Sequence, residues 1–226
     1  MELAIDTSTD TASIALSASG TVQSEISWTA GQNHTVELMP NIIHLLSQGK
    51  TEIGQLKAII VAIGPGSFNG LRVGVGTAKG LAFALEIPLI GIGTLEVEAY
   101  PYAAAGLPIC PLQPAGRGEI ATATFQQVDG DWRKLAEEHI STIDDLAKQI
   151  DTPTIFCGRF PDESAMQLRE LLGERAIVYN KTMRRAGFLA ELGWRRLGSG
   201  DSDEPATLQP LYLRHPAITK PRKGKR

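Results

Sequence analysis

Hydrophobic positions along this chain alternate between short strand-like runs and helical spacings, and the alternation happens twice. Leu3 to Ile5, Ala12 to Leu16 and Val22 to Trp28 read as three short strands, divided by the turn-forming stretch Asp6 to Asp10 and the Ser19-Gly20 pair. Asn33 or Thr35 can cap a helix running to about Gln48. Ala58 to Ile63 is a buried-type strand, Gly70 to Leu85 a helix, Leu89 to Ile92 a strand and Leu95 to Ala103 a helical stretch. In the second half, Ile109 to Leu112, Ile120 to Gln126 and Trp132 to Leu135 read as strands. Ser141 or Thr142 caps a helix whose apolar positions Ile143, Leu146, Ala147 and Ile150 share one face. Strand Thr154 to Phe156, helix Asp162 to Leu172 ending at Gly173, strand Ala176 to Val178 and helix Arg184 to Leu197 complete the order. The order of elements repeats while residue identity does not. This predicts an α/β chain with a duplicated βββαβα core: an N-terminal lobe over 1–103, a C-terminal lobe over 108–204 and a C-terminal segment over 205–226.

Two first-half helices stand out. Between Val36 and Leu46, the residues Val36, Leu38, Met39, Ile42, Ile43, Leu45 and Leu46 span about 180° of the helix, whereas packing on one sheet needs only about 100°. Pro40 lies inside this helix or in its first turn. The following helix carries small residues at four-residue intervals, Gly70, Gly74, Ala78 and Ala82, and again Gly76, Gly80 and Ala84. Each interior glycine costs about 1 kcal/mol relative to alanine. Close approach of another backbone, from the chain's own sheet or from a partner, would offset that cost. The surplus apolar arc of the first helix is expected to meet the glycine helix or another protein.

Composition narrows the class. The 226 residues, 42% of them hydrophobic, suffice for one large domain or two lobes. Asp6 interrupts the first apolar run, no run reaches the ~18 residues of a membrane span, and Cys110 and Cys157 are too isolated to suggest a disulfide framework or a zinc knuckle. A cytosolic protein without membrane contact is expected. The net charge of −3 is uneven: Arg214, Lys220, Arg222, Lys223, Lys225 and Arg226 sit in 205–226 with no acid, leaving 16 basic against 25 acidic residues elsewhere. An acidic body binds phosphate backbones poorly, so the basic end is either a solubilising tail or a nucleic-acid contact.

The chemistry on offer is sparse. Gly64-Pro65-Gly66-Ser67-Phe68-Asn69-Gly70 lacks the Lys-Ser/Thr ending of a phosphate-binding P-loop, the spacing of a dinucleotide fingerprint and the first glycine of a nucleophile elbow. Ser67 is expected to cap the helix rather than attack a carbonyl. His34, His44, His139 and His215 show no metal-ligand spacing. Asp6 with Thr7 and Ser8, at the end of the first strand, could orient a magnesium ion or a phosphate, or could simply close an Asx-type turn. Arg117 and Glu119 read as a solvated pair in a second hairpin. No metal site, no cofactor and no complete set of catalytic groups is expected.

The stretches Leu3 to Ser8, Ala12 to Leu16, Asn33-His34, Glu37 to Pro40, Gly64 to Gly74, Pro88 to Gly91 and Pro210 to Arg214 together resemble the TsaB (YeaZ-type) family of bacteria, over nearly the whole chain. The resemblance implies a two-lobed actin-like/sugar-kinase (ASKHA) ATPase-type fold. It also implies a non-catalytic subunit that supports its paralogue TsaD in making threonylcarbamoyladenosine on transfer RNA, with TsaE as an ATPase partner and a TsaC-type enzyme upstream. In TsaD, two histidines in an Asn-His-Leu-Glu-Gly-His stretch hold a metal, and the matching positions here are Thr94 and Glu98. Departures are Asn69, where the family usually has threonine, and Pro114-Ala115-Gly116, where it usually has Asp-Ala-Arg.

On this resemblance, the expected TsaD-docking residues are Val36, Met39, Ile42, Ile43 and Leu46 of the first helix with Gly70, Arg72, Val73, Gly74, Thr77, Ala78, Gly80 and Leu81 of the second. The same surface is expected to pair two copies of the chain when TsaD is absent. Asp6, Thr7 and Ser8 are expected to be at most a vestigial phosphate site, and transfer RNA to be contacted only indirectly or through the basic tail. The alternative reading is an ATP-dependent phosphotransferase of the sugar-kinase type built on Asp6 and the Gly64 loop. A peptidase finds no nucleophile with a base.

Overall fold

The computed structural model describes residues 1–214. The expectation for the tail beyond Arg214, and His215, fall outside the described residues.

Strands β1 (Glu2–Asp6), β2 (Thr11–Ala18) and β3 (Thr21–Thr29) form an antiparallel meander, and β4 (Ala58–Gly64) and β5 (Leu89–Gly93) extend it in parallel, giving the order β3-β2-β1-β4-β5. The second sheet repeats this plan with β6 (Ile109–Gly116), β7 (Glu119–Val128), β8 (Asp131–Ser141), β9 (Thr154–Gly158) and β10 (Ala176–Asn180), in the order β10-β9-β6-β7-β8. The duplication expected from element order is therefore a duplication of topology.

Helices α1 (His34–Gln48) and α2 (Phe68–Leu85) cover one face of the first sheet, where Leu38, Ile42, Leu45, Val75 and Ala78 pack on Leu3, Ile5, Ile14, Leu16, Ile59 and Val61. The second sheet has the equivalent pair α4 (Ile143–Ala147) and α5 (Asp162–Leu172), whose Ile143, Leu146, Ala165 and Leu168 meet Cys110, Leu112 and Phe156. The inner faces are covered reciprocally. Helix α3 (Thr94–Ala99), from the first half, lays Leu95 and Ala99 on Ile109, Ala123, Phe125 and Ile155 of the second sheet. Helix α6 (Ala186–Gly198), from the second half, lays Leu189, Ala190 and Leu192 on Ala4, Ala15, Ile60 and Ile90 of the first. The spatial division thus departs from a cut of the chain near 103–108: α6 belongs with the first sheet. Residues 203–214 also return to it, with Asp203 N–H donating to the Leu89 carbonyl at 2.8 Å and Leu211 N–H to that of Ile63 at 2.7 Å.

Local differences have local causes. Strand β8 runs over eleven residues where Trp132 to Leu135 had been expected, because its charged, outward side chains suit a sheet edge and hide the apolar alternation. The helical stretch at Leu95 narrows to a 3-10 turn over Tyr100–Ala105, where Pro101 has no N–H to continue the ladder. Helix α4 stops at Ala147, and Ile150 still packs on the core. Ser67 caps α2 as expected, its side chain accepting from Gly70 N–H at 3.3 Å.

Candidate functional site

The glycine helix has two faces with different explanations. Along Gly70, Gly74 and Ala78 it presses on the end of β1: a Cβ on Gly70 would overlap the Thr7 carbonyl oxygen, and one on Gly74 would overlap Thr7 Oγ1. Thr7 Oγ1 itself donates to the Gly70 carbonyl at 2.7 Å, so these two glycines serve the chain's own packing. Gly76 and Gly80, in contrast, lie on the exposed side, and a Cβ there would meet nothing among the described residues within 4 Å. Beside them Phe83 is 79% exposed, and on α1 Val36 (69%), Ile43 (60%) and Met39 (36%) face outward. Val73, Thr77 and Leu81 are half-buried along the second helix, and Arg72 is exposed with its guanidinium 3.9 Å above the Phe68 ring.

The residues expected at a docking surface divide between the core and the outer face. Ile42, Leu46 and Ala78 are buried in the first core, and Gly70 and Gly74 face Thr7, because the wide apolar arc of α1 is shared between its own sheet and the outside. Val36, Met39, Ile43, Arg72, Val73, Thr77, Gly80 and Leu81 remain at or near the outer face. The sequence reading missed Phe83, whose only signal is its position three residues after Gly80.

The cleft between the sheets holds the second candidate, and it is closed from within. Asp6, Thr7 and Ser8 are all buried. Ser8 N–H donates to Asp6 Oδ1 at 2.9 Å and its hydroxyl to the same oxygen at 2.5 Å, which is the Asx-type turn. The other oxygen, Oδ2, takes Arg184 Nε at 2.8 Å. Arg184 also donates to Glu98 Oε2 at 3.0 Å and to Ser8 Oγ at 2.6 Å, while Thr182 Oγ1 donates to Glu98 Oε1 at 2.6 Å. Burial alone would raise the Asp6 pKa, but the Arg184 charge and the hydrogen bonds from Arg184 and Ser8 outweigh it and hold the carboxyl below the ordinary range. Burial likewise opposes the charge on Arg184, and its two carboxylate partners more than reverse that. The guanidinium occupies the place an incoming cation would need beside Asp6.

Around this triad the cleft opens into adjoining cavities of about 410 and 600 Å³, both touched by Thr9, Glu98, Pro114, Arg159 and Arg184. Two side chains of α3 are engaged internally: Glu98 with Arg184, and Thr94, whose hydroxyl donates to the Pro65 carbonyl. Among the described residues, no group of three or more His, Cys, Asp or Glu side chains is placed to hold a metal ion. Glu119 pairs with Arg214 rather than standing in solvent with Arg117. His34 is structural, its Nε2–H donating to the Thr9 carbonyl at 2.8 Å. No helix is long and apolar enough to cross a membrane among the described residues.

Comparison with known proteins agrees with this architecture. The family model described as "TsaD: tRNA N6-adenosine threonylcarbamoyltransferase" matches residues 24–167. The tRNA threonylcarbamoyladenosine biosynthesis protein TsaB of Bacillus subtilis (strain 168) is 31% identical over 217 residues, covering 94% of this chain and 93% of its own. Its namesake in Escherichia coli (strain K12) is 40% identical over 97 residues, 43% of this chain and 42% of its own. Among solved structures, YeaZ from Pseudomonas aeruginosa superposes with a TM-score of 0.81 at 24% identity, covering 94% of this chain and 99% of that one. The ethanolamine utilization protein EutJ from Carboxydothermus hydrogenoformans follows at 0.51 and 11% identity, over 84% and 89% of the two chains. The fold is of the two-lobed actin-like ATPase type. With its near-full-length relative and its family match, the chain belongs to the TsaB (YeaZ-type) family within the wider TsaD group, whose members take part in tRNA threonylcarbamoyladenosine biosynthesis.

Proposed function

We propose that this chain is a non-catalytic subunit that docks a TsaD-type transferase on the outer face of α1 and α2 and so supports threonylcarbamoyladenosine formation on transfer RNA. The observation that carries this reading is the pairing of open glycines with exposed apolar side chains. Gly76 and Gly80 cost helix stability, and nothing among the described residues requires a glycine there, while Val36, Met39 and Ile43 of α1 and Phe83 of α2 stand exposed. A second helix laid along this surface could approach its backbone closely and bury those side chains. Without TsaD the same face would pair two copies. A TsaE-type ATPase would then join through the TsaB–TsaD complex, and a TsaC-type enzyme would supply the adenylate upstream, as the family resemblance implies.

The phosphotransferase alternative loses its support in the cleft. It needs Asp6 free to orient nucleotide phosphates, and Arg184 and Ser8 take up both its oxygens. The docking reading is tested with Ile43→Asp, a change on the outer face. Size-exclusion chromatography with the cognate TsaD should show loss of the complex while thermal unfolding of the isolated chain stays within about 0.5 kcal/mol of wild type. A complex that survives this substitution overturns the assignment.

A further inference from the structure

A cavity of about 530 Å³ lies apart from both the docking face and the Asp6 cleft. Its walls come from the ends of β4 and β5, from α3 and α6, from β8 with the turn before it, and from Leu211, and no residue of α1 or α2 lines it. The volume falls within the range of small-molecule sites. Ile92, Leu192 and Leu211 make one part of the wall apolar, and charged side chains make the rest.

Those charges are matched with one exception. Lys134 Nζ lies 2.9 Å from Glu138 and 3.2 Å from Glu137, Arg195 pairs with Glu191 at 3.2 Å, and Arg196 pairs with Asp201 at 2.6 Å and Asp203 at 2.8 Å. Asp131 has Arg133 at 3.1 Å. Glu96 differs: its Oε1 accepts from the Trp132 indole N–H at 3.1 Å, and among the described residues no Lys, Arg or His nitrogen comes within 4.0 Å of its carboxylate. Lys134 and Arg196 act on it from farther away and Glu138 opposes them, so that desolvation prevails and raises its pKa. A desolvated carboxylate without a counter-ion carries a free-energy cost that an incoming cation would offset.

The remaining wall selects the kind of cation. Calcium takes about six to eight oxygen ligands, and among the described residues no group of three or more His, Cys, Asp or Glu is placed to hold a metal ion. An alkylammonium ion needs one carboxylate for its head and an apolar surface for its stem, and this cavity offers both.

We infer that the cavity binds a small alkylammonium ion, with its head on Glu96 and its hydrocarbon stem along Ile92, Leu192 and Leu211. The site lies on other elements than the docking face and does not depend on the docking reading.

The test titrates n-butylammonium chloride into the full chain at pH 7.5 and constant ionic strength, read by calorimetry. Wild type should bind it saturably with a Kd below about 10 mM. Glu96→Gln should bind at least about tenfold more weakly, whereas Asp131→Asn, which removes a rim carboxylate already paired with Arg133, should stay within about twofold of wild type. Butan-1-ol, which has the stem without the charge, should not bind in the same range. Wild-type affinity should fall as pH drops toward the ordinary carboxylate range, because protonation of Glu96 competes with the cation, and Glu96→Gln should lack that dependence. No saturable binding by wild type, binding that survives Glu96→Gln, an equal loss in Asp131→Asn, or displacement of the amine by magnesium chloride at the same ionic strength overturns the inference.

Discussion

Arg184 Nε lies 2.8 Å from Asp6 Oδ2 although the two residues are 178 positions apart in the chain. Both side chains are nearly sealed from solvent, with 9% and 3% of their surfaces exposed, and Glu98 at 7% completes the set. A group of this kind stabilises little in net terms, because desolvating three charges offsets their attraction. It imposes a large penalty on any state in which one member is missing.

Arg184→Met should therefore cost about 3 to 5 kcal/mol, since it strands two buried carboxylates. The triple replacement Asp6→Asn, Glu98→Gln, Arg184→Met should recover most of that loss. Urea unfolding of the three proteins, wild type included, checks both statements, and an Arg184→Met protein as stable as wild type would contradict the role given to the triad.

Asp6 and Glu96 should respond to pH with opposite signs. The folded pKa of Asp6 lies below its ordinary 3.8, so its contribution is present at neutral pH and disappears as pH falls through the folded value. Asp6→Asn should flatten the acid limb of the stability profile below about pH 4. Glu96 is the reverse: burial raises its pKa above the ordinary 4.5, against a hydrogen bond from the Trp132 indole N–H at 3.1 Å. Stability falls as pH rises through the window between 4.5 and its folded value, and the deficit persists at neutral pH. Glu96→Gln should thus unfold at a higher temperature than wild type at pH 7 and show no advantage at pH 3. Unfolding free energies from pH 3 to 8 read both signs.

Two glycines of one helix should separate folding from docking. Gly74→Ala places a methyl group against Thr7 and should destabilise the isolated chain by about 1 to 3 kcal/mol. Gly80→Ala meets open space and should stabilise it by about 0.5 to 1 kcal/mol, while weakening association with TsaD. Thermal melts paired with a binding titration distinguish the two, and a Gly80→Ala protein that binds as tightly as wild type would count against a close helix approach.

The two cysteines should be inert in the native protein. Cys110 and Cys157 sit on adjacent strands, pack into different cores, and are buried. Burial pushes the Cys110 thiol up to about 11 and the Cys157 thiol well above its ordinary value. Neither should react with a maleimide at pH 7.5 before unfolding, and both should react promptly in denaturant. Mass spectrometry of the alkylated protein gives the count.

Much of this fold was legible from periodicity, because strands buried on one face and helices of three turns or more leave patterns of period 2 and 3.6 in the chain. Helix α5 and the Ser67 cap needed nothing further. What was hidden depended on distance along the chain. No local pattern tells Arg184 that its partners are Asp6 and Glu98, and none tells α6 that it covers the first sheet. The glycines of α2 were legible as a set, yet the set divides only once Thr7 is seen beneath Gly70 and Gly74. The α1 arc was correctly wide, but its inner half, with Ile42 and Leu46, could not be separated from its outer half without the sheet beneath.

The exchange of α3 and α6 between the sheets bears on how the chain is made. While the ribosome is still translating the second half, the first sheet has α1 and α2 on one side, and on the other Ala4, Ala15, Ile60 and Ile90 lack the cover of Leu189, Ala190 and Leu192. That surface can be closed only after residue 198 has left the exit tunnel. The nascent chain therefore spends most of its synthesis with a sticky half-built lobe, and a fragment stopping near residue 106 should be aggregation-prone and a strong client for chaperones.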